Sequence, residues 1–236
     1  MQKRWQTERV SFFEPPATPP PRPEPPDLPQ RRAWWGAPEN ELGGPVPLRL
    51  VLARTDRVVI AVLGAVAFSA GIEFTLAVRR RLAATATAED IDQFYEGDPF
   101  HPPFGHPRMR MRRLPELPED VLRFGVQFST GQKATTTGGM RPWDFREEDE
   151  EEREPEGPIL MEQGGSGGGG HYDQDFWLWP LPPAGPFTFV VEWPSEQIEL
   201  TRQEVDAALF LDASTQSERL WPGEESSGDG SRWRLE

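Results

Sequence analysis

The stretch VVIAVLGAVAFSAGIEFTLAVRRRL, residues 58–82, decides the fold. It reads in one of two ways, as a single apolar helix or as two strands joined by a turn. A bilayer span needs ~20 consecutive apolar residues, a length this stretch approaches, and Arg79, Arg80 and Arg81 would then sit at the membrane surface. The second half separates the two readings. Ile72, Phe74, Leu76 and Val78 alternate with Glu73, Thr75, Ala77 and Arg79. A lipid-facing helix has no reason to keep a period of two, whereas a half-buried strand requires one. Glu73 would also place a carboxylate in hydrocarbon. The stretch therefore predicts a strand over 58–68, a turn at Ser69-Ala70-Gly71 and a strand over 72–82, with Gly64 marking a bulge. No membrane span is expected.

Working outward, Val46, Leu48, Leu50 and Leu52 alternate in the same way and predict a strand over 46–54, joined to the next by a tight connection at Thr55-Asp56-Arg57. The three strands form a meander. Before them, residues 14–30 read EPPATPPPRPEPPDLPQ; so many prolines remove amide donors and fix φ, which favours an extended polyproline II spacer over packed structure. Trp34 and Trp35 follow this run, and so much apolar area is costly in water, so the pair is expected to anchor the arm onto its own domain.

Beyond residue 82, the prolines and missing periodicity of 83–120 predict a long irregular loop. Residues 121–128 predict a strand leading into a hairpin with Gly131 at its turn and a short fifth strand. The acidic run REEDEEEREPE, 146–156, is expected to stay solvated by self-repulsion; it lacks the ligand spacing of a calcium loop. Ile159 to Met161 reads as a short strand, and the glycine run at 163–171 as a flexible linker. That run carries neither the Gly-Lys-Ser/Thr of a phosphate loop nor a following helix. Trp177 and Trp179, two apart, share a face of an extended strand and are expected to pack; an aromatic platform for a ligand is the alternative. Residues 186–193, PFTFVVEW, form a further strand. Thr201-Arg202-Gln203-Glu204 has the form of a capping box and predicts a helix running to about Trp221. Val205, Ala208, Leu209, Ala213 and Leu220 would form its buried face.

These elements assemble into a mainly β chain: an antiparallel β-sandwich-like domain of about seven strands with one C-terminal amphipathic helix and a disordered Pro-rich N-terminal tail. A flattened barrel is the alternative. The expected boundaries are a disordered arm over 1–44, a single domain over 45–222 with disordered loops near 83–120, 138–157 and 163–171, and a disordered tail over 223–236.

Composition removes several function classes. The 236 residues carry a formal net charge of −14, which repels phosphate backbones and argues against nucleic acid as a partner. The absence of cysteine excludes disulfides, thiolate metal sites and thiol nucleophiles and suits a cytoplasmic location. The N-terminus, Met1 to Phe13, shows no secretory h-region. His101, His106 and His171 have no metal-ligand spacing, and Ser69, Ser129 and Ser195 sit in no nucleophile elbow. No catalytic, cofactor-binding or metal-binding residue is nominated and no cofactor is expected. Glu73 and Glu192, both inside strands, are the natural carboxylate candidates for hydrolysis, but their alternation with apolar neighbours points them to solvent. The cluster Arg108, Arg110, Arg112 and Arg113 suits an acidic surface, in cis or on a partner.

The glycine run, WLWPLPPAGP at 177–186, FVVEWP at 189–194, LWP at 220–222 and the LARTDRVVIAV to GIEFTLAVRRR segment together resemble a group of uncharacterised actinobacterial proteins over roughly residues 34–222. The resemblance implies a bacterial, cytoplasmic origin and brings no catalytic residues with it. The reading favoured by the sequence is a non-catalytic protein-interaction domain that engages another protein through its Pro-rich arm or acidic loop, with Trp34, Trp35, Trp177 and Trp179 as partner-binding candidates. The alternative is a hydrolase with a Trp- and carboxylate-lined cleft for a polar ligand.

Overall fold

The computed structural model describes residues 32–81, 99–100, 117–137, 154–168 and 170–221. The chain divides into two units, Met1–Gln30 and Arg31–Glu236, and all the described residues belong to the second. The readings of the Pro-rich run, of most of 83–120 and 138–157, of the arginine cluster at 108–113, of His101 and His106 and of the 223–236 tail fall outside the described residues.

Among the described residues the strands in chain order are β1 (Glu41–Leu42), β2 (Gly44–Val46), β3 (Leu50–Arg54), β4 (Val58–Ala67), β5 (Ile72–Arg80), β6 (Arg123–Gln127) and β7 (Lys133–Thr135). They continue with β8 (Ile159–Gly168), β9 (His171–Trp179), β10 (Pro186–Trp193), β11 (Ile198–Asp206) and β12 (Glu218–Arg219), with one short helix, α1 (Ala208–Ser214). All pairings are antiparallel. One sheet runs β2-β4-β5-β9-β8, with β3 also on β4; a second runs β11-β10-β6-β7; β1 and β12 form a separate ribbon.

The stretch that posed the membrane question forms the centre of the larger sheet. β4 and β5 pair along their whole length, and the turn closes where the Phe68 amide donates to the Gly71 carbonyl at 2.8 Å. Register shifts between Val62 and Ala65, and Gly64 takes φ +124° there. That is a glycine's conformation, so the bulge sits where the sequence placed it. Among the described residues no helix is long and apolar enough to cross a membrane.

Inward-facing residues of the two sheets meet in one core. Phe74 of β5 lies edge-on to Phe124 of β6 and to Phe189 of β10, with centroids 5.9 and 5.6 Å apart, and Phe176 of β9 contacts Phe124 at 5.2 Å. Ile60, Ile72, Leu76, Leu122 and Leu178 fill the space around these rings. Two antiparallel sheets sharing an aromatic filling make a β-sandwich rather than a barrel.

Five expectations need correction. Where about seven strands are expected, twelve stand among the described residues, among them the short β1 and β12, which pair only with each other. The single strand over 46–54 is two, because Pro47 has no amide to give the ladder and the Leu48 amide turns back to the Val46 carbonyl at 2.8 Å. The arm ends earlier than residue 44. Trp34 is buried, and β1 and the start of β2 lie at 41–44, so residues 32–44 belong to the domain.

The glycine run is strand rather than linker. β8 extends to Gly168 and pairs with β9 through Gly165↔Gln174, Ser166↔Asp173 and Gly167↔Tyr172. The glycines are required by what lies across from them. A Cβ on Gly165 would come within 2.8 Å of Gln174 Oε1, and one on Gly167 within 2.9 Å of the Tyr172 ring, so the ring and the amide occupy the space that side chains would need.

The capping-box reading of 201–204 also fails. Residues 198–206 form β11, registered on β10 from Pro186↔Asp206 to Val191↔Thr201, and Thr201 Oγ1 donates to the Glu199 carbonyl instead of capping a turn. Ladder hydrogen bonds along a whole strand outweigh one local cap. The helix begins only at Ala208, whose amide donates to Asp206 Oδ1 at 2.9 Å. Its buried residues are Phe210 and Ala213, while Leu209 and Leu220 are exposed.

Candidate binding surface

Strand alternation sorts β9 into two faces. Tyr172, Gln174, Phe176 and Leu178 point into the sandwich, where Gln174 is the polar exception. Its Nε2 donates to the Gly164 carbonyl at 2.8 Å and to the Asp175 carbonyl at 3.1 Å, and its Oε1 accepts from the Tyr172 hydroxyl at 3.2 Å. The β8 bulge between Glu162 and Gly165 offers the first of those carbonyls. A buried amide is tolerable only when satisfied in this way.

Asp173, Asp175, Trp177 and Trp179 line the other face. Neither tryptophan lies between the sheets, yet Trp177 is 0 % exposed and Trp179 9 %. Residues 33–37 lie over them. Trp34 meets Trp179 edge-on at 5.9 Å, Trp177 Nε1 donates to the Ala33 carbonyl at 3.0 Å, and Gln163 Nε2 donates to the Trp35 carbonyl at 2.9 Å. Phe68, Ile159 and Met161 complete this second apolar cluster, with Trp35, Ala37, Val66 and Ala70 packed on it. All four candidate tryptophans thus meet at one place, and the arm bearing Trp34 and Trp35 covers the face bearing Trp177 and Trp179. The strap of residues 32–38 consists of turns and bends and contributes no strand.

The lower part of the same face is polar and internally paired. Arg79 grips Asp173 with two hydrogen bonds, Nη1 to Oδ1 at 2.6 Å and Nη2 to Oδ2 at 3.1 Å, and Thr75 Oγ1 donates to Asp175 Oδ1 at 2.6 Å. Glu73 sits opposite Trp177 in the register of β5 and β9. Glu192, on the smaller sheet, accepts from Arg123 Nη1 at 2.5 Å, while Arg123 Nη2 also donates to the Leu117 carbonyl at 3.1 Å.

A third cluster closes one end of the sandwich. Glu196, in the 3-10 turn Pro194–Glu196 after β10, is buried and paired with Arg80 at the end of β5. Arg57 Nε lies 3.9 Å from the other oxygen of Glu196, and the Arg80 guanidinium sits 5.6 Å from the Trp193 ring centroid. Burial, and after it the neighbouring Arg57 cation, hold the Arg80 pKa below its ordinary value. This pair ties β5 of the larger sheet to the end of β10 in the smaller one.

The serine candidates serve similar ends. Ser69 donates to Glu41 Oε2 at 2.8 Å and Ser129 to the Ala184 carbonyl at 3.1 Å. His171 is exposed at the start of β9. Among the described residues no group of three or more histidine or carboxylate side chains could hold a metal ion.

Sequence reasoning missed the partners that make these clusters. Arg79 and Asp173 are 94 positions apart and Arg80 and Glu196 are 116 apart, and only the sheet register brings them together. Compared with family models, with curated proteins and with solved structures, the chain matches none.

Proposed function

We propose that this chain is a cytoplasmic, non-catalytic protein-interaction domain of actinobacterial origin that engages another protein through its Pro-rich run, residues 14–30, or its acidic run, residues 146–156. What supports the reading is the employment of the charged side chains. Asp173, Asp175, Glu192, Glu196 and Glu41 each accept from a side chain of the domain itself, which gives each of them a structural role. The surplus negative charge repels phosphate polymers and favours a basic or proline-recognising protein surface. A synthetic peptide of residues 14–30, added to the immobilised full chain with its captured protein, is expected to release that protein. If the peptide releases nothing, and a peptide of residues 146–156 also releases nothing, the reading fails.

One observation favours a second reading, a hydrolase of a polar ligand: Asp173 and Asp175 stand on the same face of β9 as Trp177 and Trp179. Two carboxylates on alternate residues lie about 7 Å apart along a strand, within the range that general acid–base pairs use. The reading requires turnover of a polysaccharide or ester substrate that Asp173→Asn or Asp175→Asn abolishes. Turnover that survives both substitutions excludes it.

A further inference from the structure

The proline-rich run precedes the strap in sequence, and the strap lies on the outer-face cluster of Trp177, Trp179 and Phe68. β1 and β2 are held by ladder pairing; the strap contributes no strand, and its contacts include the Trp34 ring on Trp179 and the Trp177 indole and Gln163 amide donating to its carbonyls. Trp34 is 7 % exposed, and its Nε1 is buried with no acceptor among the described residues. The ring therefore sits in an apolar seat that leaves its polar edge unsatisfied, which makes the closed state less secure than its burial alone would suggest. What remains when the strap lifts is a continuous surface of Trp177, Trp179, Phe68, Ile159 and Met161.

We infer that this surface is a peptide-binding site for an extended, tryptophan-bearing segment, and that residues 32–38 are its built-in occupant, which lifts locally while the sandwich stays folded. The ligand class is set by the seat itself. It holds an indole edge-on against Trp179 and presents the Trp177 N–H to the carbonyl of the preceding residue, Ala33, which itself packs on the cluster, so a competing segment needs a tryptophan whose preceding carbonyl can accept and whose preceding side chain fits where Ala33 packs. Because the strap continues into residues 14–30, a protein that holds that run is placed to draw the strap away. This last step rests on the interaction reading above; the site itself does not.

Two measurements on the purified full chain test the site without any captured partner. The first is hydrogen exchange of indole protons by NMR. Trp177 Nε1 donates to the Ala33 carbonyl of the strap, whereas Trp193 Nε1 donates to the Asp120 carbonyl at 3.0 Å and serves as the reference. The Trp177 indole is expected to exchange at least ~100-fold faster than the Trp193 indole, through local opening of the strap. Exchange of the Trp177 indole as slow as that of the Trp193 indole would mean that the strap does not lift locally, and would overturn the inference.

The second is titration of a peptide of residues 31–40 into the Trp34→Ala chain, followed by the same Trp177 resonance. Saturable binding that a Trp34→Ala version of the peptide fails to reproduce is expected. A folded Trp34→Ala chain that ignores the peptide would refute the site. If that variant does not fold, the exchange measurement on the unaltered chain decides. Peptide binding without any partner captured through residues 14–30 or 146–156 would sink the interaction reading and leave the site standing.

Discussion

Replacing Gly165 by alanine tests whether the glycine run is a strand with a crowded inner face. The new Cβ would stand 2.8 Å from Gln174 Oε1 and 3.0 Å from the Tyr172 hydroxyl, with the Asp173 carbonyl at 3.3 Å. Gln174 has little freedom to move aside. It is 5 % exposed and anchored by hydrogen bonds to the Gly164 and Asp175 carbonyls and from Tyr172. Breaking one of these leaves a buried polar group unsatisfied at ~1–3 kcal/mol. Replacing glycine within a strand returns ~0.5–1 kcal/mol, so the net loss is about 0–2.5 kcal/mol. For a chain of this size that lowers Tm by up to roughly 10 °C.

Gly164→Ala is the matched control. Nothing lies within 4 Å of its Cβ position and it carries no left-handed φ, so it should be neutral or stabilising by up to about 1 kcal/mol. Urea unfolding followed by circular dichroism measures both. Opposite signs for neighbouring glycines are the expected result; equal and negligible effects, as in a solvated linker, would refute the reasoning.

Other substitutions probe the remaining structural claims. Gly64→Ala meets no atom within 4 Å but must adopt φ +124°, so backbone strain alone should cost ~1–3 kcal/mol in the same unfolding assay. Glu196→Ala removes the buried carboxylate beside the half-buried Arg80 and should cost ~1–3 kcal/mol; pairing it with Arg80→Met should recover much of that loss, measured by thermal unfolding. A double-mutant cycle on Arg123 and Glu192 should return a coupling of ~0.5–2 kcal/mol, because both side chains are mostly buried and 2.5 Å apart.

The sequence was most legible where one local pattern was left to act alone. The alternation of Ile72, Phe74, Leu76 and Val78 marked β5, and Gly64 marked its neighbour's bulge, because period and glycine freedom are properties of a few adjacent residues. Legibility fell where a distant element supplied the reason. Residues 164–168 look like a linker until Tyr172 and Gln174 are placed opposite them, and Thr201 to Glu204 look like a helix start until β10 offers its ladder. Trp34, Trp35, Trp177 and Trp179 could each be singled out as apolar area in need of cover. That the first pair covers the second depends on which face of the larger sheet β9 turns outward, and no local pattern around the arm carries that information.

The measurement that most directly tests the proposed role is quantitative affinity capture from native lysate, comparing the full chain with residues 31–236. The cut belongs before Arg32, because removing residues 1–44 would also remove the strap, β1 and the start of β2. Thermal unfolding of both forms provides the control for folding. A protein retained by the full chain and lost from 31–236 at an unchanged Tm, or one released from both by the 146–156 peptide, is expected. Equal retention by both forms that neither peptide disturbs, or no retained protein at all, would contradict it.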